Sequence, residues 1–236
     1  MFSPPKCAIL ALNFSFTKKD SCEGSVAKPM ELENSKAYPK VCHKILAELK
    51  KKLADHLTYH RYEHTIDVAN VCNHYIDYYM IADHVAELIR IAAVAHDYGY
   101  IFSPKEHEER SIVEARPLLT EYSDAQIALI DGMIRATKVP QNPQNLYEEI
   151  IADADLDYLG RDDYDELSGG LYKEFLHFGV VKNDMEWLEI QIKFLENHKF
   201  HTDWAKANRS DSKQRVLQNL RDKLNSQSQN LSKKAS

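Results

Sequence analysis

Turn-forming residues are scarce in this chain, with seven glycines and eight prolines among 236 residues. An all-β sandwich or barrel needs a turn signal every few residues, so that supply argues against one and favours helices. Long hydrophobic runs are missing too. The apolar stretch from Cys7 to Leu12 is far shorter than the roughly 20 residues a membrane-crossing helix needs. It has no charged lead beyond Lys6 and no small-residue cleavage site, so neither a membrane span nor a signal peptide is expected. The four cysteines (Cys7, Cys22, Cys42, Cys72) form no Cys-x-x-Cys pair and no zinc-finger spacing. Reduced thiols in a cytoplasmic protein are the simplest expectation. There is no excess of positive charge. A net charge of −6 leaves no general footprint for duplex nucleic acid. No Walker loop or dinucleotide-type glycine fingerprint occurs, so no nucleotide cofactor is expected.

What remains is 44% hydrophobic and 28% charged, enough to bury one core. Residues 1–35 mix Pro, Ser, Lys and Gly without a period and are expected to form a poorly ordered extension. Residues 36–205 carry apolar residues at helical spacing and are expected to form one helical domain. Helices are expected over 38–56, 61–79, 83–96, from Lys105, over 124–135, 145–158, 161–178 and 184–198, and again over 203–224. Ser123 with Gln126 has the spacing of a capping box. Gly99 is placed to end the third helix. Residues 206–236 are polar and are expected to be a helical or frayed tail. The fold class is all-α, a compact bundle with loose ends.

Histidine and aspartate recur at suggestive places within this pattern. His60 and His64 are four apart, so on a helix they share a face and could offer one imidazole to a metal and one to a substrate. His96-Asp97 closes the apolar run Ile91-Ala92-Ala93-Val94-Ala95. Adjacent residues cannot share a helix face, but at a helix end both can turn to one ion. Asp153 and Asp155 follow the apolar Ile150-Ile151-Ala152, where a carboxylate without a charge partner would be costly. Taken singly each has an ordinary explanation: a polar helix face, a cation at a helix C-terminus, an acidic surface. Together they make a nitrogen and oxygen set suited to a divalent ion.

The ordered set His64, His96-Asp97, Asp155 resembles the signature of the HD superfamily of metal-dependent phosphohydrolases, with the likeness spanning about residues 38–200. The stretch Tyr59 to Val68 is also similar to the Tyr-His-x-x-x-His-x-x-Asp-Val segment of class I cyclic-nucleotide phosphodiesterases, distant relatives with the same metal set. The resemblance implies an HD-type helical bundle with His64, His96, Asp97 and Asp155 as metal ligands. It selects Asp155 over Asp153, leaving Asp153 beside the site or capping a helix. It implies His60 as the general acid that protonates the leaving oxygen, and Asp97 as a group that orients or deprotonates the attacking water. By the same likeness His107 would hold a second metal or contact phosphate, and Lys138 could neutralise a phosphate oxygen. The region Ile134-Arg135-Ala136-Thr137-Lys138 lacks the histidine usual in fully binuclear members, which favours one firmly held metal.

The expected activity is hydrolysis of a phosphate ester in a small phosphorylated metabolite, in the nucleotide class among others, by a metal-activated water. Mixed His and carboxylate ligation suits Mn, Fe, Ni, Co or Zn better than Mg alone. The alternative is a sensor that keeps the metal set and binds a nucleotide without turning it over. An iron oxygenase is disfavoured by the missing histidine. The tyrosines Tyr59, Tyr62, Tyr98, Tyr100 and Tyr158 are candidates to stack on a substrate or to pack. No partner beyond the small substrate is expected, neither duplex nucleic acid nor membrane.

Overall fold

A computed structural model describes the backbone of residues 30–234 and the side chains of residues 30–227. Residues 1–29, most of the expected N-terminal extension, lie outside the described residues. Among those described there are nine α-helices and no strand: α1 (Lys40–Lys52), α2 (Tyr62–Tyr78), α3 (Asp83–Ala95), α4 (His107–Ala115), α5 (Asp124–Ala136), α6 (Leu146–Asp155), α7 (Tyr164–His177), α8 (Asp184–Asn197) and α9 (Asp203–Lys234). None of these helices is long and apolar enough to cross a membrane.

The apolar content of α3 explains the layout. Ile91 through Ala95 are completely buried, because a helix that is apolar on every side is stable only when neighbours cover every side. Helices α1, α2, α5 and α6 pack around it. Local signals set the helix starts. Ser123 and Gln126 form the reciprocal capping box of α5. Asn145 caps α6 through the N–H groups of Tyr147 and Glu148, and Asn183 caps α8 through those of Met185 and Glu186. Helix α1 is shorter at both ends than its apolar period suggested. The Tyr38 hydroxyl donates instead to the Ala69 carbonyl of α2, so that ring serves the core from an extended residue. Just before it, the residue 31–33 backbone hydrogen-bonds to Asn70 and Asn73 on α2.

Two glycines act differently from a helix-ending role. After α3, His96 is still in the right-handed region, and Asp97 leads into a 3-10 turn at Tyr98–Ile101. Gly99 is therefore not a left-handed cap. A Cβ at this position would sit 2.1 Å from the His107 carbonyl oxygen, so the missing side chain lets α4 close over the His96-Asp97 corner. Gly160 does the same for α9, where a Cβ would lie 2.6 Å from the Arg209 carbonyl oxygen. Helix α9 thus runs against the 3-10 turn at Asp157–Gly160 and buries Ala205, Leu217 and Leu220.

Gly160→Ala is expected to destabilise the protein by roughly 1–3 kcal/mol through overpacking against α9. Gly169→Ala, where an added Cβ meets nothing within 4 Å in the middle of α7, should stabilise by about 0.5–1 kcal/mol through helix propensity. Thermal unfolding of the pair checks both signs.

Candidate metal centre

Three helices deliver the candidate ligands to one point. His64 lies in the first turn of α2, His96 caps α3, Asp97 follows at once, and Asp155 is the last residue of α6. His64, His96 and Asp155 each present a ligand atom within 4.8 Å of the others. His64 Nε2 is 3.1 Å from Asp155 Oδ1 and 3.6 Å from Asp97 Oδ2, while His96 Nε2 is 3.2 Å from Asp97 Oδ2 and 3.5 Å from Asp155 Oδ1.

The chemistry of this cluster fits a cation. His96 Nδ1 lies 2.8 Å from the Ala93 carbonyl, which can only accept, so the imidazole proton sits on Nδ1. A neutral His96 then turns its Nε2 lone pair toward two carboxylates. Both His96 Nε2 and Asp97 Oδ2 are buried without a hydrogen-bond partner. Buried polar atoms are rarely left so, and lone pairs converging on one point repel unless a positive charge lies between them. The electrostatics agree. Burial opposes charge on His96, yet the Asp97 and Asp155 carboxylates outweigh it and hold its pKa well above the usual imidazole value. Burial would likewise raise both acids, but the facing imidazoles dominate. Asp97 is held well below the carboxylate range and Asp155 falls to about 2.

The acids flanking Asp155 are committed elsewhere. Asp153 accepts from the backbone N–H groups of His201 and Thr202 at the start of α9, at 2.7–3.2 Å. Asp157 takes Arg209 of α9 at 2.7 Å. Arg161 reaches Asp67, one turn beyond His64 on α2, at 2.9 Å, and stands 3.6 Å from Asp157. The segment carrying Asp155 is therefore tied on both sides to α9 and, through Arg161, to the helix carrying His64.

His60 is the main departure from the sequence-based placement. Helix α2 starts at Tyr62, so His60 precedes the helix and does not share its face with His64, although the rings are 6.1 Å apart. A distant acid holds it. Glu174 of α7 is 1% exposed. One carboxylate oxygen accepts from the backbone N–H groups of Tyr59 (2.5 Å) and His60 (2.8 Å), the other lies 2.6 Å from His60 Nδ1. His60 Nε2 is 3.0 Å from the Tyr100 hydroxyl. Burial would lower the His60 pKa, but the Glu174 hydrogen bond and the nearby carboxylates reverse that and raise it. Sequence reasoning missed Glu174. The available signal was its place one turn after Leu171 and two after Leu167, an acid on the inward stripe of α7.

His107, at the start of α4, brings Nε2 to 3.4 Å from Asp97 Oδ1 and 3.6 Å from Glu108 Oε1. It therefore faces the carboxylate oxygen turned away from the His64 and His96 cluster. Lys138 is exposed at the rim of a cavity of about 450 Å³ onto which His60, Asp97, His107 and Asp155 open. Of the candidate tyrosines, Tyr59, Tyr100 and Tyr158 line that cavity. Tyr98 instead donates to Glu48, and Tyr62 lies beneath Lys50.

Residues 61–157 match the family model of the HD domain. The match includes all four candidate ligands and stops before α7, α8 and α9. No curated protein and no solved structure matches the chain significantly.

His96→Ala and Asp155→Ala are expected to lose bound transition metal, measured as moles of metal per mole of purified protein. Asp153→Asn keeps every candidate ligand and should retain the metal while lowering the unfolding temperature. Equal metal loss in Asp153→Asn would make Asp153 a ligand instead.

Proposed function

Because the chain belongs to the HD-domain superfamily through residues 61–157, we propose that it is a metal-dependent phosphohydrolase cleaving the ester of a small phosphorylated molecule. HD domains are typically metal-dependent hydrolases. The observation that carries the proposal is the pair of buried, unpartnered atoms, His96 Nε2 and Asp97 Oδ2, converging with His64 and Asp155 at one end of a substrate-sized cavity.

In this reading His64, His96, Asp97 and Asp155 hold a divalent ion, with their mixed nitrogen and oxygen donors favouring Mn, Fe, Ni, Co or Zn over Mg alone. When bound, the ion supplies Lewis acidity to a water and to the phosphoryl oxygens. Asp97, with its second oxygen toward His107, orients the attacking water and accepts its proton. The water oxygen forms the new bond to phosphorus as the bond to the leaving oxygen breaks. His60 gives its Nε2 proton to that oxygen, and the anionic Glu174 at its Nδ1 keeps the ring charged beforehand. Glu174 also fixes where the ring stands, through the Tyr59 and His60 N–H groups. Lys138 and His107, which line the same cavity, are the further groups proposed to contact a phosphoryl oxygen. The likeness of Tyr59 to Val68 to cyclic-nucleotide phosphodiesterases supports His60 in this role.

The test is release of phosphate or alcohol from aryl phosphate mono- and diesters by metal-loaded protein, with His96→Ala as the inactive control. Normal turnover by metal-free His96→Ala protein would sink the proposal. Glu174→Gln keeps the acceptor for the backbone but removes the charge beside His60. Since that charge raises the His60 pKa, the alkaline limb of the rate profile should move to lower pH. A uniform loss of rate with an unmoved limb would leave Glu174 a structural role only.

A further inference from the structure

The cavity has two chemically different ends. The ligand cluster, His60, His107 and Lys138 occupy one. The other is built by α7 and α8, outside the family match, from Leu171, Phe175, Trp187, Ile190 and Phe194. Trp187 is held edge-on by Phe175, with ring centroids 5.3 Å apart, and stacked by Tyr172 at 5.7 Å, so this wall is rigid and flat. Polar groups are few there. Gln191 donates one amide N–H to the Tyr164 hydroxyl at 2.7 Å, and Ser168 lies nearby.

We infer that the substrate's organic part is a flat, uncharged, largely apolar ring system carrying a single phosphoryl group, seated against α7 and α8. This rests on the hydrolase reading for the phosphoryl half alone. Charge decides against a polyphosphate. Among the described residues Lys138 is the one Lys or Arg lining the cavity, which Glu106 and the buried Glu108 also line. A di- or triphosphate needs several fixed cations, commonly arginine forks. Hydrogen bonding weighs against a sugar phosphate, whose several hydroxyls outnumber the polar side chains Tyr164, Ser168 and Gln191 at this end. Shape decides against a long acyl chain. Aromatic walls reward flat faces over a flexible chain.

Binding can be read without turnover. The chain has two tryptophans, Trp187 and Trp204, so in a Trp204→Phe protein the emission comes from Trp187. Metal-loaded protein is titrated with phenylphosphonate and methylphosphonate, whose P–C bonds resist hydrolysis, and with tripolyphosphate, whose anhydride bonds are checked for phosphate release during the titration. Phenylphosphonate is expected to perturb Trp187 and to bind at least tenfold tighter than either of the others. Ile190→Gln, uncharged and at a half-buried position of the apolar end, should weaken phenylphosphonate binding more than methylphosphonate binding and so shrink that preference. Equal binding of phenyl and methyl phosphonates, or tightest binding of tripolyphosphate, overturns the inference. Faster cleavage of glucose 6-phosphate than of phenyl phosphate also overturns it, while supporting the hydrolase reading. Phenylphosphonate preference without cleavage of any ester upholds the inference and overturns the hydrolase reading.

Discussion

Everything at the centre of this molecule depends on the repulsion between His96 Nε2 and the carboxylates of Asp97 and Asp155. The Ala93 carbonyl fixes the proton on the other ring nitrogen, so the lone pair has nowhere to turn. The protein relieves the repulsion in one of two ways: the imidazole takes up a second proton, or a cation occupies the gap. The first explains the upward pull on His96. The second makes proton and metal direct competitors for one nitrogen, so acid weakens metal retention. The end of α3 that carries His96 is held in place, because Ile91 through Ala95 are fully buried among its neighbours.

That rigidity extends past the core. Asp153 and Asp157 stand two residues before and after Asp155, and each is bound by α9. Arg161 carries the restraint across to Asp67. Removing one member of such a buried pair strands the other, a cost of several kcal/mol when the burial is complete, less here because the arginines are partly exposed. The late helix and the residues just before it thus fix the segment that carries the candidate ligand Asp155.

Most of the architecture was legible because it is written locally. Apolar period, a capping box at Ser123 and scarce turn residues fix the helices within a few positions, and the apolar lead-ins to His96 and Asp155 point inward. Other features depend on contacts distant in sequence. The His60 spacing reads as a helix face, but the chain there answers to Glu174, 114 residues away. Gly99 reads as a helix end, but its form is imposed by the His107 backbone. Glu108, buried beside His107, gave no periodic cue. Spacing reports neighbours along one helix, and the His60 and Gly99 contacts lie outside any single helix.

The grip of Glu174 has a further consequence. The candidate metal ligands come from α2, the end of α3 and α6, while the imidazole beside them is held from α7, the helix that also supplies Leu171 and Phe175 to the cavity wall. Thr58 adds a second tie, donating to the Gly170 carbonyl at 2.7 Å. A small rotation of α7 would therefore shift the ring-binding wall and the imidazole in one motion while leaving the ion cradle untouched. Ligand fit and acid placement are geared to the same shaft, so a poorly fitting ligand would misplace the imidazole that has to serve it.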